Sequence, residues 1–416
     1  MVTQRQFLAE TTDDILAKCT ACGKCVEVCP SYRFVPEQSR EGVSAERVAA
    51  GIVDVLRGGQ GLPAANLFLD ACAGSAHCRE VCEDGVDPYH MMRLAKLTRD
   101  RAAGKRPAAS DYHLVDLSLK LQVGAGEPTW YTRRPPADAR ADLVFYMGCN
   151  IVRTPHIALG VMEILDELGI NYATVGGGAN CCGIKQFRVG LDAAETVSRN
   201  TLTNFASLQP KEVVSWCPTC EVHFNDFGAS YLEHEFPINH LSRLILRNLD
   251  VLRPKLRPVP LRVVLEEHAA LYPGDTVTED VPAILRAIPG LEVMGTNQHV
   301  YGYTCAQITA PGALDTALDE LLSEGRRVGA NAVVSIYHGC HRTLVKAVHK
   351  RQEPFEVVNW VSLLCRSLGR EHLDRYRGYA ALGDENAILE EAMALDPGSG
   401  IPIEKLRAAV RWEFGG

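Results

Sequence analysis

The sequence predicts an α/β protein in which a small all-helical, cysteine-rich segment precedes two homologous α/β subdomains. Three observations carry this expectation. Fourteen of the fifteen cysteines fall into spaced sets. From about residue 142 onward, short apolar β-type runs alternate with stretches of helical periodicity, the pattern of a parallel sheet covered by helices. The tripeptide Val213-Val214-Ser215 returns as Val333-Val334-Ser335, 120 positions on, with related surroundings. An internal repeat of that kind fixes architecture early.

Length and composition set the frame. At 416 residues the chain exceeds a single core. We place a helical domain at 1–105, a linker at 106–141, the subdomains at 142–255 and 256–370, and a tail at 371–416. The balance of 46% hydrophobic and 23% charged residues is ordinary for a globular protein. A formal net charge of −8 gives no basic footprint for nucleic acid or anionic membranes. Met1 to Asp14 carries acidic residues and no sustained apolar run, so no secretory signal is expected. No apolar run of about 18 residues occurs, so no span is expected either. A cytoplasmic location follows, with peripheral attachment to the inner membrane only through a partner. Fifteen cysteines in that compartment read as metal ligands rather than disulfides.

In the first segment, Ala45 to Leu56 and Met91 to Arg101 have helical composition and spacing. Around them lies Cys19-x2-Cys22-x2-Cys25-x3-Cys29-Pro30, the run with which bacterial ferredoxins hold cubane clusters. Three thiolates in one short loop reach three corners of a cube, and the fourth, ahead of the proline, serves the other cluster of a pair. A second run, Cys72 to Cys82, matches the first except that Ser75 replaces the second cysteine and Glu83 the proline. Crossed ligation then assigns Cys19, Cys22, Cys25 and Cys82 to a complete 4Fe-4S cluster. Cys29, Cys72 and Cys78 hold the other, one thiolate short. That corner is either vacant, giving 3Fe-4S, or filled by Ser75, His77 or water in an incompletely ligated 4Fe-4S cluster; a decayed site holding nothing is the alternative.

The linker, with Pro107, Gly124, Gly126, Pro128, Pro135 and Pro136, suits a surface connector, with a helix at Leu114 to Leu121 and Trp130 and Tyr131 as packing or recognition residues. The first α/β unit reads as strand Leu143 to Met147, helix His156 to Leu168, loop Gly176 to Gly178, helix Ala193 to Phe205 and strand Glu212 to Trp216. Its cysteines, Cys149, Cys181, Cys182, Cys217 and Cys220, sit where strands end, the place α/β folds build sites. Each unit closes on an apolar helix, Ile238 to Leu249 and Val357 to Leu368. In the tail, Asn386 to Ala394 and Ile403 to Phe414 have helical spacing, either as an arm onto a partner or folded back on the chain.

The pattern Cys149-x31-Cys181-Cys182-Gly183-x33-Cys217-Pro218-Thr219-Cys220 resembles the cysteine-rich CCG domain of heterodisulfide reductase catalytic subunits. Over roughly residues 15–370 the layout is similar to the iron–sulfur subunits of glycolate oxidase, anaerobic glycerol-3-phosphate dehydrogenase and related proteins. The resemblance implies an α/β architecture: a small all-α ferredoxin-like bis-cluster domain followed by two homologous α/β CCG subdomains. It also implies a noncubane 4Fe-4S assembly on Cys149, Cys181, Cys182, Cys217 and Cys220, with Cys181 and Cys182 as the candidate reactive pair. The second unit departs from the pattern. His268-Ala269-Ala270-Leu271 stands where the family has a cysteine, and Thr304-Cys305 and Tyr337-x2-Cys340 replace cysteine pairs. No full cluster is expected there. His268, His338 and His341 are structural or partner-facing, or form a small site with Cys305 and Cys340; Cys365 is core.

No Gly-x-Gly-x-x-Gly opens a βα unit, so no Rossmann-type flavin or nicotinamide site is evident. The expectation is therefore an electron-transfer subunit working between a flavoprotein dehydrogenase or electron-transfer partner and a quinone, reached through a membrane partner, or a soluble carrier. The rival is a thiol–disulfide reductase acting through the noncubane cluster.

Overall fold

The computed structural model describes residues 2–105, 112–123, 140–187, 191–270, 272–398 and 400–415. The connector prolines and glycines, Trp130, Tyr131 and Leu271 lie outside the described residues.

Residues 2–105 are helical. The principal helices are Gln4–Lys18, Ala45–Leu56, Pro63–Ala71 and Pro88–Ala102, with one-turn helices at Lys24–Glu27 and His77–Glu80. Ser44 caps Ala45–Leu56 by accepting from the Arg47 amide, which satisfies a donor the first turn leaves open. The buried face of that helix, Val48, Ile52 and Val55, packs against Met91, Met92 and Ala95 of Pro88–Ala102.

Two four-stranded parallel sheets follow. The first holds β1 (Leu143–Gly148), β2 (Tyr172–Gly176), β3 (Glu212–Ser215) and β4 (Ile238–His240) in the order β2-β1-β3-β4. The second holds β5 (Leu261–Leu265), β6 (Leu291–Thr296), β7 (Ala332–Ser335) and β8 (Glu356–Asn359) in the order β6-β5-β7-β8. The Val-Val-Ser tripeptides occupy β3 and β7, so the sequence repeat is a repeat of topology. In the first sheet Val144 lies beside Ala173 on one side and Val213 on the other. Every residue of β1, β2 and β3 is buried, as expected when helices cover both faces.

The closing helix of each unit needs correction. Ile238–His240 and Glu356–Asn359 are short strands paired in parallel with β3 and β7, and the helices begin only at Leu241 and Trp360. Short apolar runs do not distinguish buried strand from helix. The switch is made by caps: His240 Nδ1 accepts from the Ser242 amide at 3.2 Å, and Asn359 Oδ1 from the Val361 amide at 3.0 Å.

The two units pack through equivalent helices in a reciprocal, pseudo-twofold way. Helix Pro155–Glu167 of the first packs on Trp360–Leu368 of the second, and Leu241–Arg247 of the first packs on Val277–Arg286 of the second. Cys365 is buried at the first contact and its thiol donates to the Gly160 carbonyl at 3.2 Å. One continuous core cluster runs from the helical segment through both sheets. The tail folds back. Its helices Glu385–Leu395 and Ile403–Phe414 pack on Tyr112–Val123 around Leu121, Tyr379, Leu389 and Val410. Among the described residues no helix is long and apolar enough to cross a membrane.

Candidate metal centres

The two N-terminal cysteine runs share one backbone. Ala21 and Gly23 flank Cys22 with φ of 57° and 85°, and Gly74 and Ala76 flank Ser75 with φ of 79° and 60°. Left-handed alanine is costly and persists where surroundings demand it. The second run thus keeps the loop geometry of the first although its central cysteine is a serine.

The runs interleave. Burial, then the neighbouring Cys19, Cys22 and Cys82 sulfurs, pushes the Cys25 thiol up to about 12. Burial, then Cys72, does the same to Cys29, opposed by hydrogen bonds that include those from the Ser75 and Ser31 hydroxyls. Burial, then Cys72, Cys29 and Cys25, raises Cys78 as well. Cys25 thus feels Cys19, Cys22 and Cys82, and Cys78 feels Cys72, Cys29 and also Cys25, so the two runs lie close to one another, with buried Ser75 acting on Cys29. His77 opens the His77–Glu80 helix beside it. Thiols that raise one another are a donor set short of positive charge, which iron supplies.

Five cysteines converge in the first α/β unit from three strand ends: Cys149 after β1, Cys181 and Cys182 after β2, Cys217 and Cys220 after β3. Their thiols influence one another pairwise in the order Cys149, Cys181, Cys182, Cys220, Cys217. Cys181 is held well below the usual thiol range by bonds from Cys149 and Cys182, with Tyr112 and the Gly183 amide adding to them against burial. Its partners Cys149 and Cys182 are raised, as is Cys220 beyond them. Glycines let the loops close. Gly148 has φ 60°, and a β-carbon there would lie 3.2 Å from Cys220 Sγ.

Helix Leu191–Ala206 fixes the Cys181-Cys182 pair from behind. Thr201 Oγ1 donates to the Cys181 carbonyl at 2.7 Å, and Ser198 Oγ to the Cys182 carbonyl at 2.7 Å. Ser198 Oγ also lies 3.0 Å from Nε2 of His223, a buried imidazole whose pKa burial lowers to about 3. Tyr112 covers the other side: its ring would be 3.0 Å from a β-carbon on Gly178, and its hydroxyl reaches Cys181. The sequence reading missed Tyr112, Ser198, Thr201 and His223.

A seam joins the helical segment to this site. Arg79, next to Cys78, donates to both oxygens of Asp226 at 2.9 and 3.1 Å, and His90 Nε2 lies 2.9 Å from the same carboxylate. Asp226 stands six residues after Cys220 and is nearly buried. Arg93 lies over the Phe227 ring at 4.2 Å and completes the contact.

In the second unit, Cys305, Cys340 and His268 meet as the small-site reading expects, and Glu266, which that reading lacked, joins them. His338 and His341 do not take part. His341 bonds Ser335 at 3.3 Å and Asp374 at 2.9 Å, and His338 packs near Trp216.

Comparison with known proteins finds matches to both cysteine-rich segments. Residues 18–87 match the family described as 4Fe-4S dicluster domain, and residues 143–225 match the CCG cysteine-rich domain. An uncharacterized iron-sulfur protein of Methanocaldococcus jannaschii is 23% identical over 376 residues, 84% of this chain and 73% of that protein. A subunit of the dihydromethanophenazine:CoB--CoM heterodisulfide reductase of Methanosarcina acetivorans is 23% identical over 399 residues, covering 85% of this chain and 94% of that one. The glycolate oxidase iron-sulfur subunit of Escherichia coli is 24% identical over 204 residues, 42% of this chain and 49% of that one. The chain thus carries a segment matching a 4Fe-4S dicluster domain followed by one matching a CCG cysteine-rich domain, and it is similar, at 23–24% identity, to a heterodisulfide reductase subunit and a glycolate oxidase iron-sulfur subunit.

Proposed function

We propose that the chain is the electron-transfer subunit of a multi-subunit oxidoreductase, working between a flavoprotein partner and a quinone or soluble carrier. The observation that carries this reading is the seam: Arg79, beside Cys78, is clamped to Asp226, just past Cys220, so two cysteine centres are tied together by a part-buried ion pair. Clusters bound at such centres move single electrons, with potentials tuned by ligation, hydrogen bonding and burial. The ligands we assign are Cys19, Cys22, Cys25 and Cys82 for a 4Fe-4S cluster, and Cys29, Cys72 and Cys78 for a three-iron or incompletely ligated cluster. Cys149, Cys181, Cys182, Cys217 and Cys220 are assigned to a noncubane assembly. The chain's own residues supply positioning. Ser198 and Thr201 hold the Cys181-Cys182 peptide, Tyr112 shields it, and the Ser75 hydroxyl reaches Cys29. Two of its relatives, one a subunit of a reductase and one an iron-sulfur subunit of an oxidase, support a role alongside partner subunits.

A second reading, thiol–disulfide reduction at the five-cysteine site, is favoured by a cleft beside Cys149, lined by Tyr112, Leu119, Val152 and the 176–180 loop. The test is anaerobic purification followed by EPR and co-purification. A three-iron signal in the oxidised protein, lost on reduction, with a flavoprotein retained on the chain, is the expected result. Protein that carries no iron overturns both readings, and turnover of a thiol disulfide by the lone chain selects the second.

A further inference from the structure

The second α/β unit contains a donor set that an electron-transfer role does not use. Sγ of Cys305, Sγ of Cys340, an imidazole nitrogen of His268 and a carboxylate oxygen of Glu266 all lie within 4.8 Å of one another, and all four residues are buried. They come from three strand ends: Glu266 and His268 after β5, Cys305 after β6, Cys340 after β7. Cys305 Sγ is 2.7 Å from Glu266 Oε1, Cys340 Sγ is 3.0 Å from His268 Nε2, and His268 Nε2 is 3.3 Å from Glu266 Oε1. Ligand bonds of about 2.0 Å to nitrogen and oxygen and about 2.3 Å to sulfur place the corners of a tetrahedron about 3.3–3.8 Å apart. These three spacings are at or below such edges and every pair lies within 4.8 Å, so the four atoms are gathered closely enough for one ion to draw them into such a shell.

We infer that Glu266, His268, Cys305 and Cys340 form a mononuclear, four-coordinate zinc site, built where the repeat has lost its cluster cysteines. The second oxygen of Glu266 is buried without a hydrogen-bond partner. A carboxylate beside two sulfurs in a dry site is expensive unless a cation neutralises it. Two thiolates cannot hold a four-iron cluster, yet two sulfurs, one imidazole and one carboxylate are a complete zinc shell. The outer contacts are those of a metal site. His268 Nδ1 lies 3.2 Å from the Gly302 carbonyl, which turns Nε2 inward. The Cys305 amide donates to Cys340 Sγ at 3.4 Å, and Thr304 Oγ1 lies 3.4 Å from the same sulfur. A narrow cleft bordered by Asn297, His299 and Tyr301 leads to Glu266, His268 and Cys305 and gives an ion access. The site has a structural consequence as well. Gly302 pairs in parallel with Ala73, the residue after Cys72, and a β-carbon on Gly302 would be 2.5 Å from the Ala73 carbonyl oxygen. The ion therefore pins the loop that supports the Ser75-containing cysteine run.

The experiment is metal analysis and zinc-edge X-ray absorption of the full chain, produced with iron and zinc supplied and purified anaerobically. About one zinc per chain is expected beside the iron, with two sulfur neighbours at about 2.3 Å and two nitrogen or oxygen neighbours at about 2.0 Å. Cys340→Ser and Glu266→Gln should lower zinc occupancy about tenfold or more, while iron at the five-cysteine site is unchanged. Iron-replete wild-type protein without zinc overturns the assignment, as does a sulfur count other than two. Zinc retained in full by both variants does so too. Because the wild-type spectrum decides the ligand set, a variant that fails to fold leaves the proposal testable. Loss of iron alone would strike the electron-transfer reading and leave this one standing.

Discussion

At Gly183 the backbone takes φ 90°, and a β-carbon there would sit 2.6 Å from Ser198 Oγ and 2.7 Å from the Ala194 carbonyl oxygen. Left-handed geometry and helix contact coincide at the residue whose amide faces Cys181 Sγ at 3.5 Å. Gly183→Ala should therefore push helix Leu191–Ala206 off the Cys181-Cys182 peptide, costing about 1–3 kcal/mol. The measurable outcome is lost iron at the five-cysteine site with the N-terminal clusters retained; full iron content and an unchanged melting temperature would refute it. The cysteines were legible in the sequence because cluster chemistry demands one residue type at fixed local spacing. Gly183 was legible only as part of that motif. Tyr112, Ser198, Thr201 and Glu266 were not, since each is a common residue that becomes specific only when a distant segment folds against the cysteines. Glu266 came nearest: a Glu266-Glu267-His268 run closing a strand is a donor pair, but its thiolate partners lie 39 and 74 positions away.

Among elements, the α/β alternation was readable because buried parallel strands are short β-branched runs between amphipathic helices. The edge strands β4 and β8 were not. Val357 and Val358 continue without a turn into Trp360–Leu368, and only pairing with β7 makes them extended. Asn359 marks the junction. Its amide nitrogen donates to the Ser335 carbonyl at 2.9 Å and the Ile336 carbonyl at 3.0 Å, while its oxygen caps the helix at Val361. The Ile336 carbonyl also accepts from Trp216 Nε1 of the first unit at 3.0 Å, so one asparagine ties strand, helix and neighbouring unit. Asn359→Ala removes a cap and the side-chain donor to the Ser335 carbonyl, and leaves the Ile336 carbonyl only its bond from Trp216, a loss of about 2–4 kcal/mol. Denaturant unfolding should show a lower midpoint with an unchanged slope. Asn359→Asp, which keeps the cap but not the donors, should recover only part; full recovery would mean the carbonyl bonds contribute nothing.

Across the whole molecule, the tail is the element that draws the others together, and Glu413 is its contact point. Its carboxylate pairs with Arg153 through both oxygens, accepts from Ser118 Oγ at 2.7 Å, and lies 3.3 Å from Arg342 Nη1. Arg153 belongs to the loop after Cys149, Arg342 follows Cys340, and Ser118 sits on Tyr112–Val123, the helix whose first residue covers Cys181. Trp412 stacks on Arg153 at 4.0 Å. One buried carboxylate thereby locks the linker helix and both α/β units. Helical spacing made the tail helix readable, but its partner was not, since an ion pair between residues 260 positions apart leaves no local trace. Burial raises the Glu413 carboxyl, yet the hydrogen bond from Arg153 and the charges of Arg342 and Arg153 outweigh it and hold the group below its ordinary value. A depressed folded-state value means the contribution is complete above the unfolded carboxylate range and is lost as pH falls through the folded value. Glu413→Gln leaves two part-buried guanidiniums without their buried counter-charge and should cost about 2–4 kcal/mol near neutral pH. The gap between wild type and variant should then narrow below about pH 4, because protonation there gives the wild type the same neutral group. Unfolding free energies of both proteins across that range provide the check. A gap that stays constant with pH would show that Glu413 acts through packing rather than charge.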